Sequence, residues 1–325
     1  MNTKKDREKI TARRLHSLVV VLGGGAGIAI ALQGLLSFAI PIQAETNTDV
    51  SEKIRATREI NPFENISLEA RAAFVLDLKT NTVLYAKNEN EKLPLASVTK
   101  LMTALLAREN IPESTVVTLT RDDLATEGDS GLRPGERWRI ENLLSVMLLV
   151  SSNDAAHAVA GFVGSKGGTE VNSVSSHNSF VKLMNERALA LGLDQMEFFN
   201  ESGLDVSATQ NGGYGSARNV AKLFEELWEK YPGTVEVSAK KDAHIFSEDN
   251  LAHILPNTNE IVGQIPGLVA SKTGFTNISG GNLVVIFDKG MGDPVVVVVL
   301  GSSYKGRFDD MQKLVAASRA GGSQK

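Results

Sequence analysis

Two hairpin patterns, one near each end of the chain's body, constrain the fold more than any other feature. Ala72-Ala73-Phe74-Val75-Leu76-Asp77-Leu78 and Val83-Leu84-Tyr85-Ala86 are joined by a Lys79-Thr80-Asn81-Thr82 turn. Gly281–Phe287 and Pro294–Leu300 are β-branched runs separated by Asp288-Lys289-Gly290-Met291-Gly292-Asp293. Runs of this kind bounded by turn residues read as paired strands. Between them the pattern is helical over Leu101–Ala107, Glu141–Val150, Asn153–Val163, Asn178–Leu191 and Ala217–Glu229, the last with Ser216 as its cap. Thr115–Leu119 reads as a short strand, Gly164–His177 as a polar loop, and Phe308–Ala317 as a closing amphipathic helix. Strands at both ends and helices between them predict an α+β fold. The hairpins join one antiparallel sheet flanked by helices, and the middle forms an inserted helical lobe.

The segment ahead of this body has a different composition. Residues 1–17 hold six Lys/Arg and two acids, a basic arm, while Leu18–Ala44 has no charged residue. Roughly 20 apolar residues cross a bilayer as a helix. The stretch therefore reads as an N-terminal hydrophobic helix, either a retained membrane anchor or a signal peptide cleaved after Ala44. The basic flank places the body on the extracytoplasmic side of the membrane. Residues 45–68 read as a polar tether, 69–319 as the folded domain and 320–325 as a tail. Val19-Val20-Val21-Leu22-Gly23-Gly24-Gly25-Ala26-Gly27 imitates a dinucleotide-binding turn, but Ile28 stands at the third glycine position and no second buried strand follows. Without the first seventeen residues the chain has 28 basic and 36 acidic residues, which argues against nucleic-acid binding. Cysteine is absent, so there are no disulfides and no thiolate metal site. His16, His157, His177, His244 and His253 show no ligand spacing and read as surface or packing residues, so no metal is expected.

Chemistry-bearing patterns are sparse. Ser97-Val98-Thr99-Lys100 opens the first helix, where a serine lies near unpaired backbone N–H groups and the lysine falls one turn on, on the same face. A capping serine followed by a surface lysine has the same spacing, and Ser-x-x-Lys recurs at Ser179, Ser238 and Ser302. Gly128-Asp129-Ser130-Gly131 copies the nucleophile tetrapeptide of trypsin-like proteases, but only His16 lies upstream. Ser151-Ser152-Asn153 falls in the turn between two apolar helices, with a second Ser-x-Asn at Ser176-His177-Asn178. Lys272-Thr273-Gly274 occurs once and leads into the last strands.

Taken in order, Ser97-x-x-Lys100, Ser151-x-Asn153 and Lys272-Thr273-Gly274 resemble the three-motif signature of penicillin-binding serine D,D-peptidases. The flanks Leu93-Pro94-Leu95-Ala96, Asn153-Asp154-Ala155-Ala156, Gly203-Leu204-Asp205 and Lys272-Thr273-Gly274-Phe275-Thr276 resemble the low-molecular-mass D-alanyl-D-alanine carboxypeptidases, a serine peptidase family, over about Ala72 to Ala317. The resemblance implies a fold like that of β-lactamases and D,D-peptidases, with no cofactor. Its substrates would be peptidoglycan stem peptides ending in D-Ala-D-Ala, and β-lactams would be covalent inhibitors. It implies Ser97 as nucleophile, Lys100 as general base, Ser151 as proton relay and Asn153 as a holder of substrate and of Lys100. Lys272, Thr273, Gly274, Phe275 and Thr276 would bind substrate, with the backbone N–H groups of Ser97 and Phe275 as oxyanion donors.

Ser152 replaces the usual glycine of the second motif, and Ile278-Ser279-Gly280-Gly281-Asn282 departs from the family's sequence. A D,D-endopeptidase and a non-catalytic penicillin-binding sensor remain open beside the carboxypeptidase. A class A β-lactamase is disfavoured, because Glu186 lacks the Leu-Asn that would follow a deacylating glutamate.

Overall fold

The computed structural model describes residues 61–128, 130–167 and 173–321. The basic arm, the apolar stretch 18–44 and most of the tether lie outside the described residues. Within them, no helix is long and apolar enough to cross a membrane.

A five-stranded antiparallel sheet organises the body. Its strands are β1 (Ala72–Asp77), β2 (Thr82–Lys87), β10 (Leu268–Thr276), β11 (Gly280–Asp288) and β12 (Pro294–Ser302), in the order β10-β11-β12-β1-β2. Both expected hairpins therefore join one sheet, and β1 pairs with β12, Ala72 opposite Leu300 and Asp77 opposite Val295. Smaller ladders use β3 (Leu93–Pro94), β4 (Val116–Thr118), β5 (Arg137–Arg139), β6 (Glu197–Phe198), β7 (Gly213–Gly215), β8 (Asp242–Phe246) and β9 (Ala252–Pro256). The helices are α1 (Lys100–Asn110), α2 (Ile140–Leu149), α3 (Asn153–Gly164), α4 (Val174–Ala190), α5 (Ala217–Lys230), α6 (Pro232–Val235) and α7 (Gly306–Gly321).

The unbroken valine run of β12 has a physical reason. Successive strand residues face opposite sides of a sheet. Val296, Val298 and Leu300 pack with Phe74 and Leu76 of β1 into the core that holds α1, α2, α3 and α5. Val295, Val297 and Val299 pack with Ala73 and Val75 against Phe308, Met311 and Leu314 of α7. Both faces are covered, so neither can be polar. The ends of the body are clasped by Asp310 of α7, which is wholly buried. Its carboxylate accepts from the N–H groups of Glu69 (3.1 Å) and Ala70 (2.8 Å) and from the Ser302 hydroxyl (2.9 Å).

Three sequence expectations need correction. α4 begins at Val174, inside the segment read as a loop, because Ser173 accepts from the Ser176 N–H and caps it. Lys272-Thr273-Gly274 lies within β10 rather than ahead of the sheet. Phe63, read as part of the tether, is buried against the second core and stacks on Tyr85 at 5.5 Å between ring centroids.

Candidate active site

The residues of α1 from Lys100 to Ala107 are all buried, Lys100 and Thr103 included, as in a helix enclosed by others. Its entry is a 3-10 turn, Ala96–Thr99. Ala96 stands at φ 47°, in the left-handed region that non-glycine residues seldom occupy, and its N–H is held by Asn211 Oδ1 at 3.2 Å. This backbone turn presents Ser97, half-buried, at the rim of a cleft of about 390 Å³ shared with Ser151, Thr273, Gly274, Phe275 and Arg307.

Lys100 is fully buried, and its Nζ lies 2.8 Å from Ser97 Oγ, 2.7 Å from Asn153 Oδ1 and 2.8 Å from the Ser202 carbonyl. The two carbonyl oxygens only accept, and the hydroxyl alone can do either. A neutral amine satisfies all three contacts, with two N–H groups on the carbonyls and its lone pair toward the Ser97 O–H. Burial brings the Lys100 pKa down to about 7, against the opposing charge of Glu201. Asn153 is oriented by its own amide N–H, which donates to the Glu127 carbonyl at 2.6 Å.

Ser151 sits in the turn between α2 and α3 at φ 62°, a second left-handed non-glycine residue. The Lys272 Nζ donates to its hydroxyl at 2.8 Å and to the Thr273 carbonyl at 2.9 Å. Burial first, then the nearby charges of Lys100 and Arg307, hold the Lys272 pKa well below the usual lysine value. Thr273 shares a 2.6 Å hydroxyl contact with Thr258. Gly274 is demanded by a close approach. A Cβ there would lie 2.7 Å from the Leu95 carbonyl and 3.2 Å from the Ser97 nitrogen, so only glycine lets β10 lie against the nucleophile's turn.

The three motifs thus meet around one cleft. Phe275 is there too, partly exposed and edge-on to Tyr304. Thr276 is not among the cleft's lining residues. Its hydroxyl donates to Asp205 at 3.0 Å and contacts Ser279 Oγ at 3.2 Å, which ties down the end of β10. The rival serines are engaged elsewhere: Ser179 donates to the Ser175 carbonyl, Ser238 to that of Val235 and Ser302 to Asp310. Ser176 donates to the Ser173 carbonyl in the first turn of α4. Ser130 of the protease-like tetrapeptide contacts Ser152 Oγ at 2.7 Å. Ser152, where glycine was expected, caps α3 by accepting from the Ala155 N–H at 3.0 Å. Asn282, in the divergent segment, bridges the Pro94 carbonyl and the Gly301 N–H.

Sequence reasoning missed Thr258, Ser202 and Arg307. Arg307 is buried at the start of α7, donates to the Gly274 carbonyl at 2.9 Å and places its guanidinium 4.4 Å from the Tyr304 ring centre. No local pattern marks it, although a basic residue opening an amphipathic helix after the last strand was a usable signal. Two of the histidines meet in one cluster. His157 and His177 come together with Glu201, their ligand atoms within 4.8 Å of one another. The two imidazoles are stacked at 3.8 Å and 10° between planes. Ring nitrogens coordinate in the ring plane, and near-parallel planes do not converge on one ion.

Comparison with known proteins decides the family. The D-alanyl-D-alanine carboxypeptidase family model matches residues 56–304. The chain belongs to this family. As a member it is 32% identical over 253 residues to the D-alanyl-D-alanine carboxypeptidase DacF of Bacillus subtilis, covering 76% of this chain and 61% of that protein. The chain thus spans under two thirds of that relative's length. It is 28% identical over 288 residues to the D-alanyl-D-alanine endopeptidase of Escherichia coli, with 86% of this chain and 84% of that protein covered. Among solved structures, a penicillin-binding protein of Listeria monocytogenes in its ampicillin-bound form superposes with a TM-score of 0.65 at 28% identity, over 78% of this chain and 98% of that one. The mixed α/β architecture with antiparallel sheets is therefore that of the penicillin-binding peptidases.

Proposed function

We propose that the protein is a penicillin-sensitive serine D-Ala-D-Ala carboxypeptidase that removes the terminal D-alanine from peptidoglycan stem peptides. One observation carries the reading: a fully buried Lys100 amine, its pKa near 7, 2.8 Å from Ser97 Oγ and fixed by two carbonyl acceptors. Lys100 takes the Ser97 proton as Oγ attacks the carbonyl carbon between the two D-alanines. The oxygen that gains charge lies between the Ser97 and Phe275 backbone N–H groups, which Gly274 allows to approach each other. Collapse of this intermediate breaks the C–N bond. The departing D-alanine amine receives a proton through Ser151, itself hydrogen-bonded to Lys272. Water then releases the shortened peptide from Ser97.

Lys272, Thr273 and Arg307 concentrate positive charge and donors where the terminal carboxylate would lie. β10 occupies an edge of the sheet, suited to an extended peptide. The ampicillin-bound Listeria relative supports β-lactam binding, and we read β-lactams as inhibitors that acylate Ser97. The basic arm and the uncharged stretch that follows support an extracytoplasmic catalytic domain, held by a retained N-terminal anchor or secreted by cleavage after Ala44. Glu186 is exposed on α4 and pairs with Lys182, which leaves it unsuited to β-lactamase deacylation.

A fluorescent penicillin incubated with the purified full chain should leave an SDS-stable adduct that mass mapping places on Ser97. Ser97→Ala should abolish it; an adduct on Ser179, or none on the wild type, rejects the assignment. The likeness to the Escherichia coli endopeptidase, which spans most of both chains, favours one second reading. Release of D-alanine from a pentapeptide without loss of cross-links selects the carboxypeptidase. Acylation with neither activity selects a sensor.

A further inference from the structure

The two carbonyl groups that hold Lys100 come from different parts of the chain. Asn153 Oδ1 belongs to the first turn of α3, and the Ser202 carbonyl to the segment that follows β6. A side-chain contact joins these two parts directly. His157, one turn beyond Asn153 on α3, contacts Glu201 Oε1 through Nδ1 at 2.7 Å, and Glu201 immediately precedes Ser202. The Glu201 carbonyl is held in turn by the Thr103 hydroxyl, one turn beyond Lys100 on α1, at 2.6 Å. His177 of α4 stacks on His157 and covers it.

We propose that His157 and Glu201 are positioning residues for Lys100, locking α3 to the 201–202 backbone so that the amine keeps its lone pair on Ser97. The inference rests on reading Lys100 as the base that deprotonates Ser97.

A neutral pair would tie the same elements, so the charge needs its own reason. Burial works against both charged forms. The shared hydrogen bond and mutual attraction overcome it, which leaves the His157 pKa above and the Glu201 pKa below their ordinary values. Both shifts favour the ionic form of the pair. Glu201 then opposes the fall of the Lys100 pKa that burial drives, and preserves basicity in the amine. The charged groups facing this pair are Asp123 ahead of α2, Asp154 on α3, His177 on α4 and Lys100 on α1.

The test is the pH profile of Ser97 acylation by fluorescent penicillin in the full chain, with folding of each variant checked by thermal melting. Glu201→Gln removes the charge that holds the Lys100 proton, so the acidic limb should move to lower pH by about half a unit or more. His157→Ala should slow acylation at the optimum by about tenfold or more. His157→Gln, which keeps an N–H donor for Glu201, should recover part of that loss. An unmoved limb in folded Glu201→Gln overturns the proposal, as do equal losses in the two His157 variants. If Glu201→Gln does not fold, the His157 comparison decides alone. A rate that responds to added zinc or to EDTA would also overturn it, reassigning the cluster to a metal. Absence of a Ser97 adduct on the wild type rejects the base reading itself and this inference with it. A wild-type adduct without the shift rejects the inference alone.

Discussion

Lys100 shows what single residues contribute here. An exposed lysine is a cation at neutral pH and a poor base; this one is enclosed by α1, α3 and the 199–204 segment, and burial removes the solvation that favours the charge. The sign of the resulting pH dependence is direct. Below about 7 the amine is protonated and has no lone pair for Ser97, and above it the base is free. Initial acylation rates plotted against pH should therefore rise with a midpoint near 7. A rise centred near the ordinary lysine value would show that the amine is solvated. Ser97, Lys100, Ser151, Asn153 and Lys272 were legible in the sequence because each belongs to a short local motif. Arg307 and Thr258 were not, since tertiary folding alone brings them to the cleft. Thr276 was placed with the substrate-binding residues by the family resemblance; its hydroxyl is bonded to Asp205 and Ser279 at the end of β10.

At the scale of elements, the site depends on how closely β10 approaches the 3-10 turn before α1. Gly274→Ala would place a methyl group 2.7 Å from the Leu95 carbonyl, backbone that cannot rotate away. Strand and turn must separate, and a displacement of around 1 Å at a reacting centre costs up to about 100-fold in rate. Penicillin acylation should fall accordingly while circular dichroism remains that of the folded protein; an unchanged rate would mean the approach is not needed. The helices of the lobe were readable from their apolar periodicity. The start of α4 was not, because Val174-Ser175-Ser176-His177 carries no apolar stripe and the cap at Ser173 looks like one more polar loop residue. The β8–β9 hairpin escaped for a related reason. Its outward residues Phe246 and Ile254 are apolar and exposed while the inward His253 is polar, which breaks the alternation.

At the scale of the whole molecule, the chain returns at its end to the strand with which its body begins. β12 completes the sheet beside β1, and α7 covers the face that the helical lobe leaves open. Asp310 fastens this closure to residues more than two hundred positions earlier in sequence. Asp310→Ala would strand the buried Ala70 N–H, the part-buried Glu69 N–H and the buried Ser302 hydroxyl, a loss of about 3 kcal/mol. Urea unfolding followed by tryptophan fluorescence should show that drop. A change below about 0.5 kcal/mol, typical of an uninvolved surface position, would remove Asp310 from this role. The sheet was legible from its two hairpins, and its burial on both faces from the unbroken valines of β12. The clasp was not, because an aspartate in an amphipathic helix reads as part of its solvated face.

The proximity of two buried lysines has a consequence for ligand binding. Lys100 and Lys272 are both buried behind the cleft, and the charge of Lys100 makes that of Lys272 harder to keep. A carboxylate arriving beside Lys272 opposes that effect and raises its affinity for a proton. Substrate capture is then also proton capture from solvent, and part of the heat of binding belongs to the buffer that gives the proton up.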